Sequence, residues 1–301
     1  ALDPVRPPNT REGRWHTGQT QVLSVAELQD FEDVFYEIAA TCREQGVPAD
    51  TTLRENGPGQ YEINLNHVPD ALRAADYAVF LKRIVKGVAR KHDLDATFMA
   101  KPYGMQAGNG MHVHFSILDD KGRNIFVGED GPSELLMQSV GGLLRYMGES
   151  TAIFAPHANS YRRLKPSEHA PTFASWGFDN RSAAVRVITA SKPATRIEHR
   201  VAGADSNPYL VLAMILQAAY MGMKERLDPG GPITGDEHAL DNEPLQSSWD
   251  AAVQRFATSG FAYGAVGPEF RSLYTACKYQ ELDEFSLRVT DVEYDAYIRT
   301  V

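Results

Sequence analysis

The sequence has little cysteine and no long apolar run. Its two cysteines, Cys42 and Cys277, lie far apart and lack the spacing of metal ligands. This argues against a disulfide framework and favours a reducing, cytoplasmic setting. No segment reaches the roughly 18 consecutive apolar residues of a membrane span, and the first residues carry no apolar region typical of a signal peptide. We therefore expect neither secretion nor a membrane partner.

Positive charge is also scarce. The 301 residues include 30 basic and 39 acidic side chains, a formal net charge of -9, so a nucleic-acid partner is not expected. An acidic excess suits a site that holds divalent cations. With 43% hydrophobic residues, the chain is long enough to bury one large or two small cores.

The apolar patterns alternate between helical and extended periods and predict an α+β fold without internal repeats. Residues 1–23 are expected to form an N-terminal arm or loop. Ser24 and Glu27 have capping-box spacing and open an apolar stripe that ends before Gly46, which predicts a single helix. Further helices are predicted over residues 70–92, 133–147 and 207–227, and after a loop at 228–244. Strands are predicted around residues 60–66, 95–101, 111–118, 183–189 and 195–201.

Two of the predicted helices carry specific packing expectations. In the helix over residues 70–92, the positions expected to face inward are Leu72, Ala75, Val79, Ile84, Val85 and Val88. The helix that Asn207 and Pro208 open is apolar nearly all round, which predicts a buried helix.

Four of the predicted strands alternate polar and apolar side chains, so each has one polar face. This alternation favours a largely antiparallel sheet. The stretch GMHVHFSIL, residues 110–118, puts His112, His114 and Ser116 on one side. The polar faces of the other three strands carry Glu62, Arg186, Arg196, Glu198 and Arg200. If the strands belong to one sheet, that face is a cation site ringed by arginines.

Each of these residues alone also has a plainer interpretation. A strand carboxylate usually lies on the wet side of a sheet, and paired histidines are more often satisfied polar residues than ligands. The RIEHR pattern is also that of cross-strand ion pairs, which are worth little. Together, however, carboxylates with an imidazole suit Mg²⁺ or Mn²⁺, and arginines suit phosphate and carboxylate groups. The joint pattern indicates metal-assisted phosphoryl transfer.

Five separated motifs resemble, in order and spacing, the catalytic domain of the glutamine synthetase family. They are ENGPGQYEI (55–63), ATFMAKPYGMQAGNGMHVHFS (96–116), NSYRRLKP (159–166), NRSAAVRV (180–187) and RIEHRVAGADSNPYL (196–210). The stretch YTACKYQELDEF near residue 280 looks more like the γ-glutamylpolyamine (γ-glutamylputrescine) synthetase branch. The resemblance implies a curved, mainly antiparallel sheet with helices on its outer face, similar to guanidino kinases.

The resemblance also implies roles for individual residues. Metal ligands are implied at Glu55, Glu62, His112 and Glu198. Glutamate-binding positions are implied at Gly108, Arg163 and Arg200, the last near the γ-carboxylate. Nucleotide contacts are implied at His114, Ser116, Arg186 and Arg196, and catalytic contacts to the transferred phosphate at Arg181 and Arg186. The implied cofactors are ATP and Mg²⁺ or Mn²⁺. ATP would phosphorylate the γ-carboxylate of L-glutamate, and a nitrogen nucleophile would then displace phosphate.

One position departs from the pattern of ammonia-using members, whose flap carries a glutamate that attracts ammonium. Here that position is His169. An imidazole is a poor trap for a small cation but can act as a catalytic base near neutral pH. An organic amine, a polyamine or other primary amine, is therefore the expected acceptor. Trp176 is a candidate wall of the amine pocket, and a packed core tryptophan is the equal alternative. At Ala107, ammonia users have an asparagine that touches glutamate.

Residues 24–301 are expected to form the catalytic domain. The family's small β-grasp domain, and a strand with two further metal-binding glutamates in a Glu-x-Glu pattern, are not found before Leu23. We therefore expect these 301 residues alone to bind metal weakly. The resemblance also implies a ring-shaped homo-oligomer, a dodecamer, in which the small domain completes the neighbouring subunit's site.

Three functions remain open from the sequence. They are a glutamate-amine ligase, a glutamine synthetase that uses ammonia, and a non-catalytic scaffold that keeps the fold. The convergent charges weigh against the scaffold, because folding has no need for them.

Overall fold

The computed structural model describes residues 22–165, 170–235 and 244–301. Its helices are α1 (Val25–Gln29), α2 (Glu32–Glu44), α3 (Ala71–Lys91), α4 (Glu134–Phe154), α5 (Ser160–Arg163), α6 (Pro208–Glu225), α7 (Trp249–Thr258), α8 (Gly260–Val266), α9 (Pro268–Ser286) and α10 (Asp291–Tyr297). Its strands are β1 (Ala49–Arg54), β2 (Tyr61–Leu65), β3 (Val113–Phe115), β4 (Trp176–Phe178), β5 (Val185–Ile188) and β6 (Arg196–His199). Across these ranges, no helix has the length and apolar character needed to cross a membrane.

The first helical stripe forms two helices rather than the predicted single one. Ser24 caps α1, since its Oγ accepts from the Glu27 amide at 3.4 Å. The chain leaves helical geometry at Phe31, which has φ -120° and ψ 22°. The Phe31 ring is buried and packs edge-on against Tyr61 of β2, at a centroid distance of 5.9 Å. The break therefore turns an aromatic ring into the core.

Helix α3 agrees with the prediction to within one residue at each end. Asp70 caps it by accepting from the amides of Leu72 and Arg73 at 2.9 and 3.1 Å. Two of the expected inward positions are wrong, because Leu72 is 71% and Val79 38% exposed. The other face of α3 packs with α2 and with the apolar side of β2 into a smaller core.

The main core lies around α4 and α6. Helix α4 begins after Ser133 as predicted but continues to Phe154, beyond the expected end at Met147. Asn207 caps α6, whose buried positions lie along one stripe. The predicted burial of α6 holds for this stripe but not for the whole helix, since Tyr220 is 52% exposed. These helices, with α7 and α8, pack against the apolar faces of the strands that carry the motifs.

The strands form two sheets rather than one. Strands β1 and β2 make an antiparallel pair, and the second sheet has the order β3-β6-β5-β4. Its pairs are antiparallel except for the parallel β4–β5 pair. The α+β class is confirmed, with small antiparallel and mixed sheets and packed helices. Glu62 therefore lies on a different sheet from the other predicted strand residues.

Three strand assignments also differ from the prediction. The sequence patterns missed β1, whose ADTTLR lacks an apolar alternation, and β4, which has three residues including a glycine. The predicted strand at residues 95–101 does not form. Its backbone groups bond elsewhere: the Ala100 carbonyl accepts from the Asn109 amide, and Lys101 bonds through both main-chain groups to the Asn159 side chain.

Candidate active site

The two sheets face a common cleft of about 1590 Å³. Most of the predicted site residues line it. They are Glu55, Glu62, Gly108, His112, His114, Arg163, Arg181, Arg186, Glu198 and Arg200. Residues predicted from separate motifs thus share one site although they come from two sheets.

Glu198 lies at the floor of the cleft with a hydrogen-bond partner on each side. Strand register aligns it with His114 of β3 and Arg186 of β5. One carboxylate oxygen, Oε2, accepts from Arg186 Nη1 at 3.1 Å, and the other, Oε1, accepts from Arg200 Nη1 at 2.5 Å. His112 Nδ1 lies 3.4 Å from Oε1. Two guanidinium groups therefore neutralise one carboxylate that is 2% exposed.

The charge states follow from this packing. Burial opposes ionisation of Glu198, but the charge and the hydrogen bond of Arg200 favour the carboxylate, and the pKa of the carboxyl is lowered. Burial and the Arg200 charge hold the pKa of His112 at about 3. Burial also lowers the pKa of His114. Both imidazoles are neutral at physiological pH. His112 therefore keeps a nitrogen lone pair that a metal ion can accept, whereas His114 Nδ1 accepts from Arg196.

The opposite wall carries Glu55 and Glu62. Glu55 follows β1 and Glu62 lies in β2, and a Gly-Pro-Gly turn joins the two. Burial raises the pKa of Glu55, and the nearby Glu62 charge raises it further. The Arg181 charge, from the turn that follows β4, acts in the other direction. A carboxylate whose charge is disfavoured by burial and by a neighbouring carboxylate is the kind of group that a divalent cation stabilises.

The chemistry of these donors fits Mg²⁺ or Mn²⁺, because carboxylate oxygens and a neutral imidazole are suitable ligands. Their grouping is looser than predicted. Within residues 22–165, 170–235 and 244–301, no three His, Cys, Asp or Glu side chains lie close enough to hold one ion. The predicted ligands are instead divided between the two walls of the cleft, and arginines occupy both oxygens of Glu198.

Gly108 and Arg163 form the part of the wall predicted to bind glutamate. A Cβ on Gly108 would lie 2.7 Å from the Ala100 carbonyl oxygen and 3.0 Å from Arg163 Cγ, so only glycine fits there. Arg163 is 4% exposed. Its guanidinium donates to the carbonyls of Val201 and Arg200 at 2.7 and 3.2 Å. Burial lowers the pKa of Arg163 to about 10, so the group stays charged at neutral pH.

The arginines predicted to hold phosphate come from the turn and strand that follow β4. Arg181 lines the cleft next to Asn180, whose Oδ1 accepts from the Ser182 amide at 2.9 Å. The other guanidinium, on Arg186, also donates from Nη2 to Asp179 Oδ1 at 3.0 Å. Asp179 has φ 47°, a left-handed conformation that the tight turn requires.

Three of the predicted residues that the structure describes are not among those that line the cleft. Arg196 donates to His114 Nδ1 at 3.1 Å, beside the cleft, and Ser116 is exposed on the same polar side of the chain. Trp176 is 3% exposed and donates from Nε1 to the Gly230 carbonyl at 3.2 Å. This geometry favours the alternative of a packed core tryptophan. His169 lies outside the described residues.

Sequence reasoning assigned no role to Gln60 and Asn109, although both lie in the cleft wall. Gln60 was predictable as a member of the polar face of its strand. The hydrogen bond from Gln60 to Asn109 was not predictable, because 49 residues separate the two side chains.

The fold and this cleft define a catalytic domain of the glutamine synthetase type. Residues 3–297 match the family described as glutamine synthetase, catalytic domain, and the chain belongs to that family. It is 40% identical over 278 residues to the gamma-glutamylputrescine synthetase PuuA of Escherichia coli (strain K12), covering 91% of this chain and 58% of that protein. It is 37% identical to a glutamate-isopropylamine ligase from a Pseudomonas species, covering 88% and 59%.

A solved structure titled apo GmaS without ligand superimposes with a TM-score of 0.86 and 31% identity, covering 94% of this chain and 66% of that one. Other similar proteins carry the name glutamine synthetase. The predicted family and fold are thus confirmed. The chain spans 58% and 59% of the length of the two curated relatives named above.

Proposed function

We propose that this protein is an ATP-dependent ligase that joins the γ-carboxylate of L-glutamate to a polyamine or other primary amine. The observation that carries the proposal is the arrangement of Glu198 between Arg186 and Arg200 in a cleft that also holds Glu55 and Glu62. Metal-holding carboxylates beside fixed arginines are suited to moving a phosphoryl group onto a carboxylate. The family membership favours this reaction over other phosphoryl transfers.

In this mechanism, Arg163 and the glycine loop at Gly108 orient glutamate. Arg200 lies near its γ-carboxylate, whose oxygen attacks the γ-phosphorus of ATP and releases ADP. His114, Ser116 and Arg196 contact the nucleotide. Arg181 and Arg186 neutralise charge on the transferred phosphoryl group. Mg²⁺ or Mn²⁺, held by Glu55, Glu62, His112 and Glu198, would neutralise the phosphate oxygens and orient ATP.

The second step joins the amine to the activated carboxyl group. The amine nitrogen attacks the γ-carbonyl carbon of γ-glutamyl phosphate, and inorganic phosphate leaves with the electrons of the C–O bond. The nitrogen must lose a proton, and we assign this proton to the His169 imidazole. An organic amine is favoured because His169 replaces the flap carboxylate and because PuuA and the isopropylamine ligase are named for organic amines.

The complete enzyme is proposed to be a cytoplasmic homo-oligomer, a dodecamer by family resemblance. Residues 24–301 form its catalytic domain, and a preceding β-grasp domain supplies the Glu-x-Glu strand. The free state of Cys42 and Cys277 is consistent with a reducing compartment.

The test is ADP formation with ATP, Mg²⁺ or Mn²⁺ and L-glutamate, using the protein in the form its gene encodes. The acceptors are ammonia, putrescine, spermidine, ethanolamine, methylamine and isopropylamine. We expect one organic amine to exceed ammonia in kcat/KM by at least about tenfold, roughly 1.4 kcal/mol of transition-state binding. Ammonia as the best acceptor would make the protein a glutamine synthetase, the candidate that the glutamine synthetase relatives favour. No ADP with any acceptor would favour the scaffold.

A flap variant tests the role of the histidine. The change His169→Glu places a carboxylate where ammonium is attracted, so the preference should move towards ammonia. The change His157→Glu adds the same charge at a half-exposed histidine elsewhere and should leave the preference as it is. An unchanged preference in His169→Glu would argue against a role for this position in choosing the amine.

A further inference from the structure

Gln60 uses every polar group it has within the wall of the cleft. Its backbone closes the turn that carries Glu55: the Gln60 carbonyl accepts from the Glu55 amide at 2.9 Å, and its amide donates to the Gly57 carbonyl at 3.0 Å. The side-chain Oε1 accepts from the Gly57 amide at 2.7 Å. Its Nε2 donates to the Gly108 carbonyl at 2.9 Å and to Asn109 Oδ1 at 2.7 Å.

These bonds connect two loops from different sheets. The turn after β1 carries Glu55, a proposed metal ligand, and the loop before β3 carries Gly108, which packs on Arg163. Asn109 is itself fixed by its backbone. Its backbone N–H donates to the Ala100 carbonyl at 2.7 Å, and its backbone carbonyl accepts from the Ala204 N–H at 3.0 Å. A shift of the turn is therefore transmitted to a loop that has little freedom to absorb it.

The contact requires the chemistry of glutamine. One end of the amide must accept from Gly57, and the other must donate two hydrogen bonds to two oxygen acceptors. A glutamate of the same shape would keep the first bond but would place an oxygen against the Gly108 carbonyl and Asn109 Oδ1. Losing the donors in a half-buried position costs more than the same change in water.

We propose that Gln60 is a positioning residue that couples metal binding at the Glu55 turn to glutamate binding at the Gly108 and Arg163 wall. The proposal rests on the proposed function, because it takes the two walls as the metal and glutamate sites. Gln60 itself contacts neither ligand in this mechanism. It holds the two loops at one separation, so that ordering either loop by its ligand also orders the other.

The test measures the dissociation constant of L-glutamate by calorimetry with and without Mn²⁺, in the protein as its gene encodes it. We expect Mn²⁺ to tighten glutamate binding at least about fivefold in the unchanged protein, the lower range of coupling between sites. Glutamate should tighten Mn²⁺ binding by the same factor, which checks the measurement. In Gln60→Glu the factor should fall below about twofold.

Matched variants separate coupling from general damage. Gln254→Glu makes the same chemical change on the exposed face of α7 and should keep the full factor. Thermal unfolding should show that Gln60→Glu is folded. In a folded variant, a lost coupling factor then reports on the bridge between the two loops rather than on unfolding. If Gln60→Glu does not fold, Asn109→Ala, which removes one acceptor of the same bridge, decides in its place.

The outcomes distinguish this inference from the proposed function. A full coupling factor in Gln60→Glu, or binding of both ligands without coupling in the unchanged protein, would overturn the positioning role and leave the ligase proposal standing. An unchanged protein that binds neither Mn²⁺ nor glutamate would overturn both. A factor lost in Gln60→Glu and kept in Gln254→Glu would support both.

Discussion

Glu198 shows how single residues decide the character of the cleft. It is the carboxylate that both Arg186 and Arg200 contact, at 3.1 and 2.5 Å, while 2% of it is exposed. Glu198 and Arg200 are buried and Arg186 is partly buried. Burying charged groups is costly even when they are paired, so such a cluster contributes little net stability. A cluster that does not serve the fold is more readily explained by the chemistry of the site.

A second residue-scale feature, the absence of a side chain at Gly108, leads to a prediction. A Cβ there would meet the Ala100 carbonyl oxygen at 2.7 Å, a backbone atom that cannot rotate away. Gly108→Ala should therefore lower the free energy of unfolding by about 1–3 kcal/mol. It should also weaken glutamate binding because Arg163 is displaced. Urea unfolding and calorimetry measure the two effects.

The control for this change is in the same loop. Gly104→Ala adds the same methyl group where nothing lies within 4 Å, so stability and glutamate binding should stay close to those of the unchanged protein. Equal effects of the two substitutions would contradict the assignment of a close approach at Gly108.

At the scale of elements, α4 and α6 cross so closely that their backbones touch. A Cβ on Gly142 would collide with the Ala218 carbonyl oxygen and lie 2.7 Å from the Gly222 Cα. Gly142→Ala should therefore separate the helices and lower the free energy of unfolding by at least about 1–3 kcal/mol. Urea unfolding measures this cost.

Substitution of Gly87, in helix α3, is expected to have the opposite effect on stability. A Cβ on Gly87 of α3 meets nothing within 4 Å, so Gly87→Ala should raise the stability by about 0.5–1 kcal/mol through helix propensity alone. If Gly142→Ala instead raised the free energy of unfolding, α4 and α6 would not cross as closely as described.

Helices α2 and α3 are joined by an ion pair whose strength depends on pH. Lys91 Nζ and His92 Nε2 bond to the two oxygens of Glu37 at 2.6 and 2.9 Å and lower the pKa of its carboxyl below the ordinary 4.5. A lowered folded-state pKa means that the pair's stabilisation is complete above pH 4.5. It is lost as the pH falls through the lowered value.

Carboxyl NMR titration checks this expectation. The pKa of Glu37 should lie below 4.5 in the unchanged protein and rise towards it in Lys91→Ala. Arg90→Ala removes a neighbouring positive charge on an exposed part of α3 and should have little effect. A Glu37 pKa that does not respond to Lys91→Ala would show that the pair does not form in solution.

For the molecule as a whole, the end of the described chain is separate from both cores. No residue of α10 is buried, and apolar side chains such as Leu287 and Val292 are 82% and 77% exposed. Deleting residues 290–301 should therefore change the free energy of unfolding by no more than about 0.5 kcal/mol, as for other surface changes. Urea unfolding of the truncated chain at low protein concentration measures this.

Tyr274→Ala in α9 is the contrasting change. Tyr274 donates from its hydroxyl to the Ala152 carbonyl at 2.8 Å and packs against Phe256 at a centroid distance of 5.3 Å. Removing this ring should cost at least about 2 kcal/mol. A comparable loss on deleting residues 290–301 would mean that α10 packs on the body of the protein.

Much of this organisation could be predicted from short stretches of sequence. Ser24, Asp70, Ser133 and Asn207 cap helices where the patterns indicated. The alternation in GMHVHFSIL correctly separated a core side from a polar side. The motifs correctly predicted the family, and most of the residues that they single out line one cleft.

Other features depend on contacts between distant parts of the chain, which periodicity does not contain. Patterns alone did not predict the split into two sheets, the polar strand β1 or the break at Phe31. They left Trp176 open between a pocket wall and the core. The strand expected at residues 95–101 was lost because loop and side-chain partners, including Asn109 and Asn159, took its backbone bonds.

The sequence by itself determined which side chains of strands such as β2 and β3 face the core, because that follows from the two-residue repeat of a strand. Its motifs determined the family and the kinds of group available for chemistry. Only the tertiary structure decided which of these groups meet. The pairing of β5 with β6 places Arg186 beside Glu198. The packing of the two sheets lets Gln60 reach Gly108 across 48 residues. Both are long-range contacts that no short segment specifies.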